Sequence, residues 1–502
     1  MTALLSDVVR ALPRAERHGH DVELHDATHD SRQADRGWLF CAIPGARVDG
    51  HEHAAAAVER GAAALLVERW LGLDVPQVRV PSVRAATGPA AAVVHGEPSR
   101  QLAVAGITGT NGKTTVTYLL EGAFAAAALG TGVIGTVQTR IHGTPEPGVR
   151  TTPEGTDLQR LLRSMHTRGV DAVAMEVSSH GLDLRRVDGT RFAVAAYTNL
   201  SQDHLDWHGS MAAYLAAKAR LFVPELSDRG IVFLDGPFAD QLLEQVSIPV
   251  TTVGRRDDAD LRLVDERVGL TGGTVRLVGR HPSVGGTGPP LDLELATVLP
   301  GAFNLANAAV AAVTAIAVGV PPDVAAAGIA ACPGAPGRLE RVADEPVTVL
   351  VDYAHTPDAL SEVVATVRDL LPDRARFTLV VGCGGDRDRI KRGPMGAAAA
   401  AADRAVLTSD NPRSEPPEDI LAAVEAGARH AVADGAPAEL VVELDRRRAI
   451  RHALEQATPG DVVVIAGKGH ETTQELADRT IEFDDRVVAR ELLDALGSGG
   501  GA

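Results

Sequence analysis

The segment from Leu102 to Thr115 has the residue types and spacing to bind phosphate. It reads LAVAGITGTNGKTT: an apolar run typical of a buried strand, a glycine-rich turn, and then the start of a helix. A helix that begins directly after such a turn points backbone N–H groups and the positive end of its dipole at one place, which suits an anion. In this geometry Lys113 reaches the β- and γ-phosphates of a nucleotide, and the Thr114 hydroxyl coordinates Mg²⁺. The sequence therefore predicts a nucleotide site.

The glycine spacing departs from the general phosphate-loop pattern. Gly106 lies one residue too early for G-x4-G-K-[ST], and Ile107 stands where the first glycine belongs. The alternative is a glycine turn with an incidental lysine, but the strand before it and the helix after it favour the nucleotide site. A second pattern, Gly130–Gly135, satisfies G-x-G-x-x-G. Because it follows a helix and enters a strand, the reverse of the dinucleotide-binding context, we interpret it as a turn only.

Two segments rich in proline and glycine, 95–100 and 332–337, divide the chain into three pieces. Such segments cannot continue a helix and often mark domain boundaries. We therefore predict domains at residues 1–99, 100–335 and 336–502. In the second and third pieces short apolar runs alternate with helical stretches, which predicts an α/β fold with mostly parallel sheets and helices on both faces.

The predicted elements place the residues that could bind ligands or take part in catalysis at strand ends and on helices. The predicted strands are Leu102–Ile107, Ala172–Val177, Val347–Val351, Phe377–Val381, Ala405–Thr408 and Val462–Ala466. One predicted helix is Thr114–Ala128. Another starts after Ser210, its expected N-cap, and carries Tyr214 and Lys218.

Composition narrows the class of protein. The chain has 502 residues, of which 45% are hydrophobic and 23% charged, with a formal net charge of −17. That charge argues against a nucleic-acid partner or an anionic membrane surface, while a glycine-rich loop can still bind a nucleotide. The three cysteines are scattered, the N-terminus does not read as a signal peptide, and no apolar run reaches the length of a membrane span. We expect a cytoplasmic protein without membrane insertion.

At Gly109–Thr115 the sequence resembles the ATP loop of the Mur ligase family. The resemblance extends over nearly the whole chain. Seven further motifs occur in order with the family's spacing: Glu176–Gly181, Thr198–Asp206, Phe303–Ala308, Asp352–Pro357, Gly382–Arg387, Asp410–Arg413 and Gly467–Glu471. The resemblance implies an N-terminal α/β domain for a UDP moiety, a central P-loop ATPase domain with a mostly parallel sheet, and a C-terminal Rossmann-like domain for an incoming amino acid. Family members with Asp-Asn-Pro-Arg resemble the one that adds meso-diaminopimelate.

The resemblance also implies the chemistry. ATP phosphorylates a carboxylate to an acyl phosphate, an amine attacks it, and two Mg²⁺ ions relieve the repulsion between the anions. It places one Mg²⁺ on Thr114 and Glu176, and the other on His204 and a carbamate formed on Lys218 from CO₂. By itself, Lys218 would be read as part of a solvated helix face and His204 as a structural histidine. The expected catalytic residues are Lys113, Glu176, His204 and Lys218.

The remaining nucleotide contacts follow from the same resemblance. The phosphate loop contributes Gly109, Thr110, Asn111, Gly112, Lys113, Thr114 and Thr115. Asn304, Arg338 and Asp352 match positions that handle the nucleotide, although Asn304 could instead cap its helix.

Contacts to the UDP-linked substrate, UDP-N-acetylmuramoyl-L-Ala-D-Glu, are implied in the first two domains. Ser31 is the expected uridine contact, with the loop Ala46–Val48 beside it. Thr151 and Thr152 match the pair that binds the muramoyl peptide, Ser178 matches a peptide contact and Arg186 a basic contact. Leu184 and Arg150 replace the expected glutamine and asparagine, so those roles are not carried over.

The implied amino-acid pocket needs an arginine fork for a carboxylate and acceptors for an ammonium, since meso-diaminopimelate ends in both. Arg387 and Arg413 supply the first, and Asp410 and Glu471 the second. The other pocket residues are Asn411, Pro412 and Gly467. The rest of the charge run 386–392 would be a solvated face.

Three alternatives remain at this point. One is a lysine-adding Mur ligase and another is an amide ligase like folylpolyglutamate synthase; the Asp410–Arg413 motif and the N-terminal domain count against both. The third is a nucleotide-binding switch without ligase activity, which leaves that motif without a purpose. We expect a monomeric enzyme.

Overall fold

The first hundred residues form a small sheet covered by helices. The computed structural model describes residues 2–45, 48–146, 148, 150–282 and 288–499. The elements of this part are β1 (Ala3–Leu4), α1 (Leu5–Ala11), β2 (Glu16–His18), β3 (Glu23–Leu24), β4 (Asp26–Thr28), β5 (Trp38–Cys41), α2 (Ala54–Arg60), β6 (Ala64–Val67), β7 (Gln77–Arg79) and α3 (Val83–Val94). Five strands pair in the order β2-β7-β6-β5-β4, and all pairs except β2–β7 are parallel. The carboxyl ends of β4 and β5 therefore lie at the same edge.

The middle of the chain builds a large sheet around the phosphate loop. Its elements are β8 (Ala103–Thr108), α4 (Lys113–Ala126), β9 (Thr131–Ile134), β10 (Thr139–Ile141), β11 (Thr144–Glu146), α5 (Gly155–Thr167), β12 (Ala172–Glu176), α6 (Ser179–Asp183), β13 (Val194–Tyr197), α7 (Leu205–His208), α8 (Met211–Ala219), β14 (Gly230–Phe233), α9 (Ala239–Leu243), β15 (Val250–Gly254), β16 (Leu261–Gly269), β17 (Gly272–Arg280), β18 (Pro290–Thr297), α10 (Ala302–Ala317) and α11 (Pro322–Ala331).

The strand order of this sheet puts β8 between two partners that are distant in sequence. The order is β11-β10-β9-β12-β8-β13-β14-β15-β16-β17-β18. The pairs from β9 through β16 are parallel, whereas β9–β10 and β10–β11 are antiparallel. Strands β8, β12 and β13 are almost fully buried, as expected for parallel strands with helices on both faces. The loops after these three strands consequently meet at one edge, where open α/β sheets bind their ligands.

The last part of the chain forms a second parallel sheet. Its elements are β19 (Glu340–Ala343), β20 (Thr348–Asp352), α12 (Pro357–Leu370), β21 (Phe377–Cys383), α13 (Arg392–Ala399), β22 (Arg404–Ser409), α14 (Pro417–Ala433), β23 (Glu439–Val442), α15 (Arg446–Glu455), β24 (Val462–Ala466), β25 (Thr473–Glu475), β26 (Thr480–Glu482) and α16 (Asp485–Gly499). Six strands pair in the order β19-β20-β24-β21-β22-β23, and only the β19–β20 pair is antiparallel. The predicted α/β class with mostly parallel sheets is confirmed.

By its internal contacts the chain divides into two compact units. The first contains Met1–Asp265, Val275–Leu295 and Ala306–Cys332, and the second contains Glu266–Thr274, Ala296–Leu305 and Pro333–Ala502. Within the first unit, α5 joins the N-terminal sheet to the central one. Arg160 of α5 donates to Asp26 Oδ2 at 2.8 Å and to the carbonyl of Ala27 at 2.7 Å.

One sequence interpretation is wrong. Gly130–Gly135 is mostly strand β9, fully buried beside β12, and not only a turn. The glycines are needed for packing, because a Cβ at Gly132 would lie 2.9 Å from Met165 Sδ. Close approach to α5 therefore explains a pattern that resembles a nucleotide motif.

A search of the described ranges finds no helix whose length and apolar character would let it cross a bilayer.

Candidate active site

The phosphate loop joins β8 to α4 and is held by the residues that follow β13. Gly109 has φ of 155°, and a Cβ there would lie 1.9 Å from Thr198 Oγ1, so the position requires glycine. The Asn111 N–H donates to Asn199 Oδ1 at 2.9 Å, and Thr198 Oγ1 donates to the Asn111 carbonyl at 2.6 Å. Because β13 lies next to β8, these bonds fix the loop before any ligand arrives.

Lys113 and Thr114 open α4 and point to different partners. Lys113 Nζ donates to the carbonyls of Gly109 at 2.9 Å and Thr110 at 2.8 Å, so the ammonium lies over the loop. Thr114 Oγ1 donates to Glu176 Oε1 at 2.9 Å. Of the residues predicted to bind phosphate, Gly109 to Gly112 form the loop, and Lys113 to Thr115 form the first turn of α4.

Glu176 connects the phosphate loop to the neighbouring segment. It ends β12, is 1% exposed, and accepts from Thr114 on one side. On the other side the Thr136 N–H donates to Oε1 at 2.8 Å and Thr136 Oγ1 donates to Oε2 at 3.0 Å. A Cβ at Gly135 would lie 2.5 Å from Oε1, so glycine leaves room for the carboxylate. A buried carboxylate with three hydrogen-bond donors is a preformed oxygen ligand.

Lys218 is buried on α8 with its amine at the phosphate loop. Its Nζ donates to the Gly109 carbonyl at 2.8 Å and lies 4.5 Å from the centre of the Tyr214 ring. The residue is 1% exposed, so the solvated-face interpretation is wrong. Burial, reinforced by the charge of Lys113, lowers the pKa of Lys218 well below its usual value. The neutral amine, which is the form that reacts with CO₂, is therefore favoured.

His204 lies on the loop after β13, in the left-handed backbone region with φ of 53°. Its Nε2 lies 3.4 Å from Asp203 Oδ2, and its ring meets the His180 ring edge-on at 4.7 Å between centroids. Burial lowers the pKa of His204; Asp203 opposes this, while His180 and the two lysines add to it. The balance favours neutral imidazole, the form that binds metals.

A cavity of about 540 Å³ collects four of the residues predicted to bind the peptide substrate. The residues lining it include Thr136, Arg150, Thr151, Thr152, Ser178, His180, Arg186 and His204. Thr152 Oγ1 lies 3.1 Å from Ser178 Oγ and donates to the Glu176 carbonyl at 3.1 Å. The cavity wall and the phosphate loop therefore meet at Glu176.

Arginines surround a single carboxylate on the rim of this cavity. Glu154, 7% exposed, accepts from Arg84 at 2.8 Å and Arg150 at 2.6 Å, and it forms an ion pair with Arg186, whose Nε lies 2.9 Å from Oε1. Three guanidinium groups and one carboxylate leave excess positive charge, which suits an anionic ligand. Arg150, where the sequence departs from the family, supplies part of that charge.

Three predicted nucleotide contacts lie in the second unit. Asp352 ends β20 and accepts from the N–H groups of Leu339 and Ala354, both at 2.7 Å. Burial raises the pKa of Asp352, with Arg338 opposing the shift. Arg338 lies 4.8 Å from the centre of the Tyr353 ring. Asn304, in the first turn of α10, donates to the Pro300 carbonyl at 2.8 Å; an N-cap would accept instead.

The residues predicted to bind the amino acid lie on the loops that follow β21, β22 and β24. The predicted residues on these loops are Arg387, Asp410, Asn411, Pro412, Arg413, Gly467 and Glu471. Asn411 Nδ2 donates to Glu471 Oε2 at 2.7 Å. A Cβ at Gly467 would lie 2.8 Å from Asp410 Oδ2, so glycine admits the carboxylate. Arg387 is exposed, whereas Pro412 is buried beneath the loop.

Arg413 is anchored in this pocket. Its Nε donates to Glu475 Oε2 at 2.7 Å and its Nη1 donates to the Gly385 carbonyl at 2.9 Å. Its side chain is 23% exposed, and its φ is 52°. It is therefore not a freely exposed turn arginine. Nearby, Arg392 is buried against Glu415, so the run 386–392 is not wholly a solvated face.

Ser31 begins a short 3₁₀ turn directly after β4. The turn is capped by Asp30, whose carboxylate accepts from the Arg32 N–H at 3.0 Å. Of the neighbouring loop, Ala46 and Arg47 lie outside the described residues, and Val48 is 51% exposed. Since β4 and β5 are parallel neighbours, Ser31 and Val48 follow strands that end at the same edge.

Sequence reasoning missed several residues that contact the predicted ones. Thr136 is one of them and lies just past a segment interpreted as a turn. Lys468 is another, and composition offered a signal for it: of 49 Lys and Arg residues only four are lysines, at positions 113, 218, 391 and 468. Because nearly all basic residues of this chain are arginines, a lysine indicates a position that favours an ammonium over a guanidinium group.

The fold and site define an α/β protein with a phosphate loop. Three domain models of one family match consecutive segments of the chain. They are described as "Mur ligase family, catalytic domain" (residues 23–99), "Mur ligase middle domain" (107–315) and "Mur ligase, glutamate ligase domain" (337–469). The chain belongs to the Mur ligase family, and the resemblance read from its motifs is confirmed.

Named relatives cover almost the entire chain. A protein of Streptomyces avermitilis named UDP-N-acetylmuramoyl-L-alanyl-D-glutamate–2,6-diaminopimelate ligase is 44% identical over 97% of both chains. A solved structure of a ligase with that name has 33% identity, a TM-score of 0.71 and coverage of 94% of this chain and 95% of the other. The Mycobacterium tuberculosis folylpolyglutamate synthase, solved with ADP and AMPPCP, has a TM-score of 0.59 at 21% identity, covers 82% of this chain and 94% of its own, and shares the fold.

Proposed function

We propose that this protein is an ATP-dependent ligase that joins meso-diaminopimelate to UDP-N-acetylmuramoyl-L-alanyl-D-glutamate. The observation that carries the proposal is the position of Glu176. Its side chain accepts from Thr114 of the phosphate loop, and its backbone carbonyl accepts from Thr152 in the wall of the cavity. A ligase of this kind must bring a substrate carboxylate to the γ-phosphate, and Glu176 joins the two places where these groups would bind.

The reaction follows from that juxtaposition. A carboxylate oxygen of the acceptor attacks the γ-phosphorus, the bond to ADP breaks, and an acyl phosphate forms. The neutral amine of the amino acid then attacks the acyl carbon: a C–N bond forms, the C–O bond to phosphate breaks, phosphate leaves with the electron pair, and the nitrogen loses a proton. Lys113 stabilises the negative charge on the transferring phosphoryl group, and Thr151, Thr152, Ser178 and Arg186 hold the acceptor in the cavity.

The residues near the loop fit two Mg²⁺ ions. In the described ranges no group of three or more His, Cys, Asp or Glu residues could by itself hold a metal. Magnesium does not require one, since it is commonly bound by one or two protein groups plus water and phosphate oxygens. Thr114 and Glu176 would hold one ion, and His204 with a carbamate on Lys218 the other. When bound, the ions would neutralise charge between the nucleotide and the carboxylate.

The other parts of the chain supply the remaining recognition. Residues 1–99 would bind the UDP group through Ser31, and 100–335 would bind ATP. Residues 336–502 would bind the amino acid and contribute Arg338 and Asp352 to nucleotide binding, with Asn304 from α10. Arg387 and Arg413 would take the distal carboxylate of meso-diaminopimelate, and Asp410 and Glu471 its ammonium. We place the reaction in the cytoplasm, where ATP is available, and expect a monomer.

Phosphate release tests this function directly. With ATP, Mg²⁺ and the UDP-linked dipeptide, phosphate and ADP should form rapidly with meso-diaminopimelate, slowly with L-lysine and scarcely without an amino acid. Formation of AMP and pyrophosphate would contradict γ-phosphoryl transfer. Turnover with L-lysine equal to that with meso-diaminopimelate would contradict the proposed specificity.

Replacement of Lys113 with Ala should lower turnover by roughly 10² or more, because one fixed cation at the transferring phosphoryl group is lost. The measurement is kcat for phosphate release at saturating substrates. Lys391→Ala is the control, since Lys391 donates to the His355 carbonyl in the second unit. Near-normal kcat in Lys113→Ala would mean that the phosphate site lies elsewhere.

A further inference from the structure

Lys468 lies at the centre of the amino-acid pocket and is completely buried. It is 0% exposed, and its Nζ donates to Asn411 Oδ1 at 3.1 Å, Glu471 Oε2 at 3.1 Å and the Thr473 carbonyl at 2.6 Å. We propose that Lys468 is a positioning residue, whose ammonium, together with Asn411, fixes Glu471 in the orientation that receives the ammonium end of the incoming diamino acid. This inference rests on the proposed function of the pocket.

Hydrogen-bond chemistry makes the arrangement directional. An ammonium can only donate, so the Asn411 side-chain oxygen must face Lys468. The Asn411 NH₂ group is then turned to Glu471 Oε2, to which it donates at 2.7 Å. The Asn411 oxygen also accepts from the Glu475 N–H at 3.0 Å. Lys468, the Glu475 N–H and the Glu471 carboxylate therefore favour the same amide orientation, and removal of the ammonium removes one of these three contacts.

The same contacts set the position of the Glu471 carboxylate. Both Asn411 and Lys468 donate to its Oε2. Both bonds hold the carboxylate by its Oε2 atom, and the side chain is 33% exposed. The other oxygen, Oε1, would accept from a bound substrate. Because an acceptor held by charge-assisted bonds loses little freedom on binding, it recognises an ammonium at lower entropic cost.

Local charge also depends on Lys468. Its Nζ lies 4.0 Å from Asp410 Oδ1 as well as close to Glu471. Two carboxylates and one ammonium leave a single negative charge, which matches one substrate ammonium. Without Lys468 the two carboxylates would repel each other, and Glu471 would lose the orientation that the ammonium gives it.

The choice of lysine agrees with this role. Lys468 is one of four lysines among 49 basic residues. Three acceptors around a single nitrogen suit a compact ammonium with three donors, whereas the flat guanidinium of arginine presents its donors in one plane. The alternative role is structural: a buried charge pair that only stabilises the turn from Gly467 to Glu471.

Kinetics of Lys468→Met separate the two roles. Loss of charge-assisted hydrogen bonds that orient the acceptors should raise the KM for meso-diaminopimelate by roughly 10- to 100-fold. The KM values for ATP and for the UDP-linked substrate should stay within about twofold, since those sites do not include Lys468. A purely structural residue would lower the melting temperature and leave the KM for the amino acid unchanged, and that result would overturn the proposal.

Arg368→Met is the control for loss of a cation elsewhere in the same unit, since Arg368 lies on α12. Arg368 donates to the Ala401 carbonyl and to Asp403, at the amino ends of the strands and so at the opposite edge from the pocket. It should lower stability without raising the KM for the amino acid. An equal rise in both variants would attribute the effect to general destabilisation and overturn the proposal.

A double-mutant cycle tests whether Lys468 acts through Glu471. Lys468→Met combined with Glu471→Gln should raise the KM little more than the worse single variant, because both remove the same oriented acceptor. Effects that multiply would contradict the proposal.

If Lys468→Met does not fold, Lys468→Arg, which keeps the charge but changes its geometry, must still raise the KM. Turnover of the wild type with meso-diaminopimelate tests the proposed function separately. The ratio of KM in the variant to KM in the wild type tests the role of Lys468, and it can be measured with any amino acid that the wild type accepts.

Discussion

Lys218→Ala should lower kcat by roughly 10²- to 10³-fold, the loss expected when preorganised charge at a phosphoryl-transfer site is removed. The amine is buried beside the Gly109 carbonyl and under the Tyr214 ring, and the pKa of Lys218 is lowered by that burial. A neutral amine can attack CO₂: an N–C bond forms, the nitrogen loses a proton, and the product carries one negative charge. Loss of Lys218 would remove this anion.

Chemical rescue distinguishes the carbamate from a structural lysine. Short-chain carboxylic acids added to Lys218→Ala should restore part of the activity, because they can place a carboxylate in the vacated space. Removal of dissolved CO₂ should in turn slow the wild type. If Lys218 only holds the phosphate loop through the Gly109 carbonyl, neither treatment will have an effect. Full activity of Lys218→Ala at saturating Mg²⁺ would exclude both roles.

Arg413→Ala should raise the KM for meso-diaminopimelate by roughly 30- to 5,000-fold, equivalent to about 2–5 kcal/mol for a lost charge pair in a desolvated site. The guanidinium is already oriented, since Glu475 and the Gly385 carbonyl hold it on two sides. A substrate carboxylate would gain a bidentate partner there, whereas L-lysine would present only a like charge. The KM for ATP should remain nearly unchanged.

Glu475→Gln is the matched control for Arg413. It removes the ion pair at 2.7 Å but leaves the guanidinium in the pocket. If Arg413 binds substrate, this variant should keep most of the preference for meso-diaminopimelate over L-lysine while Arg413→Ala loses it. If Arg413 only anchors its turn through Glu475, the two variants will behave alike. The measurement is kcat/KM for both amino acids in all three proteins, and an unchanged ratio in Arg413→Ala would remove it from the pocket.

The sequence by itself determined the local elements that carry the chemistry. The strand predicted at Val462–Ala466 has those bounds in the structure, and the helix predicted from Thr114 begins at Lys113. These elements are determined by local patterns: apolar runs for strands with two buried faces, and a glycine turn that must precede the helix. Six of the seven family motifs likewise lie at strand ends, where a parallel sheet collects its loops, whereas Phe303–Ala308 lies in α10.

Only the tertiary structure decided which of these loops meet and which side chains are buried. The pairing of β8 with both β12 and β13 brings Glu176 to Thr114 and Asn199 to the phosphate loop, across separations that no local pattern encodes. The same holds for Gly130–Gly135, in which Gly132 packs against α5 and Gly135 leaves room for the Glu176 carboxylate. Burial of Lys218 and Lys468, which determines their partners, depends on chain segments far away in sequence. The sequence therefore specified the groups, and long-range packing specified their environment and so their chemistry.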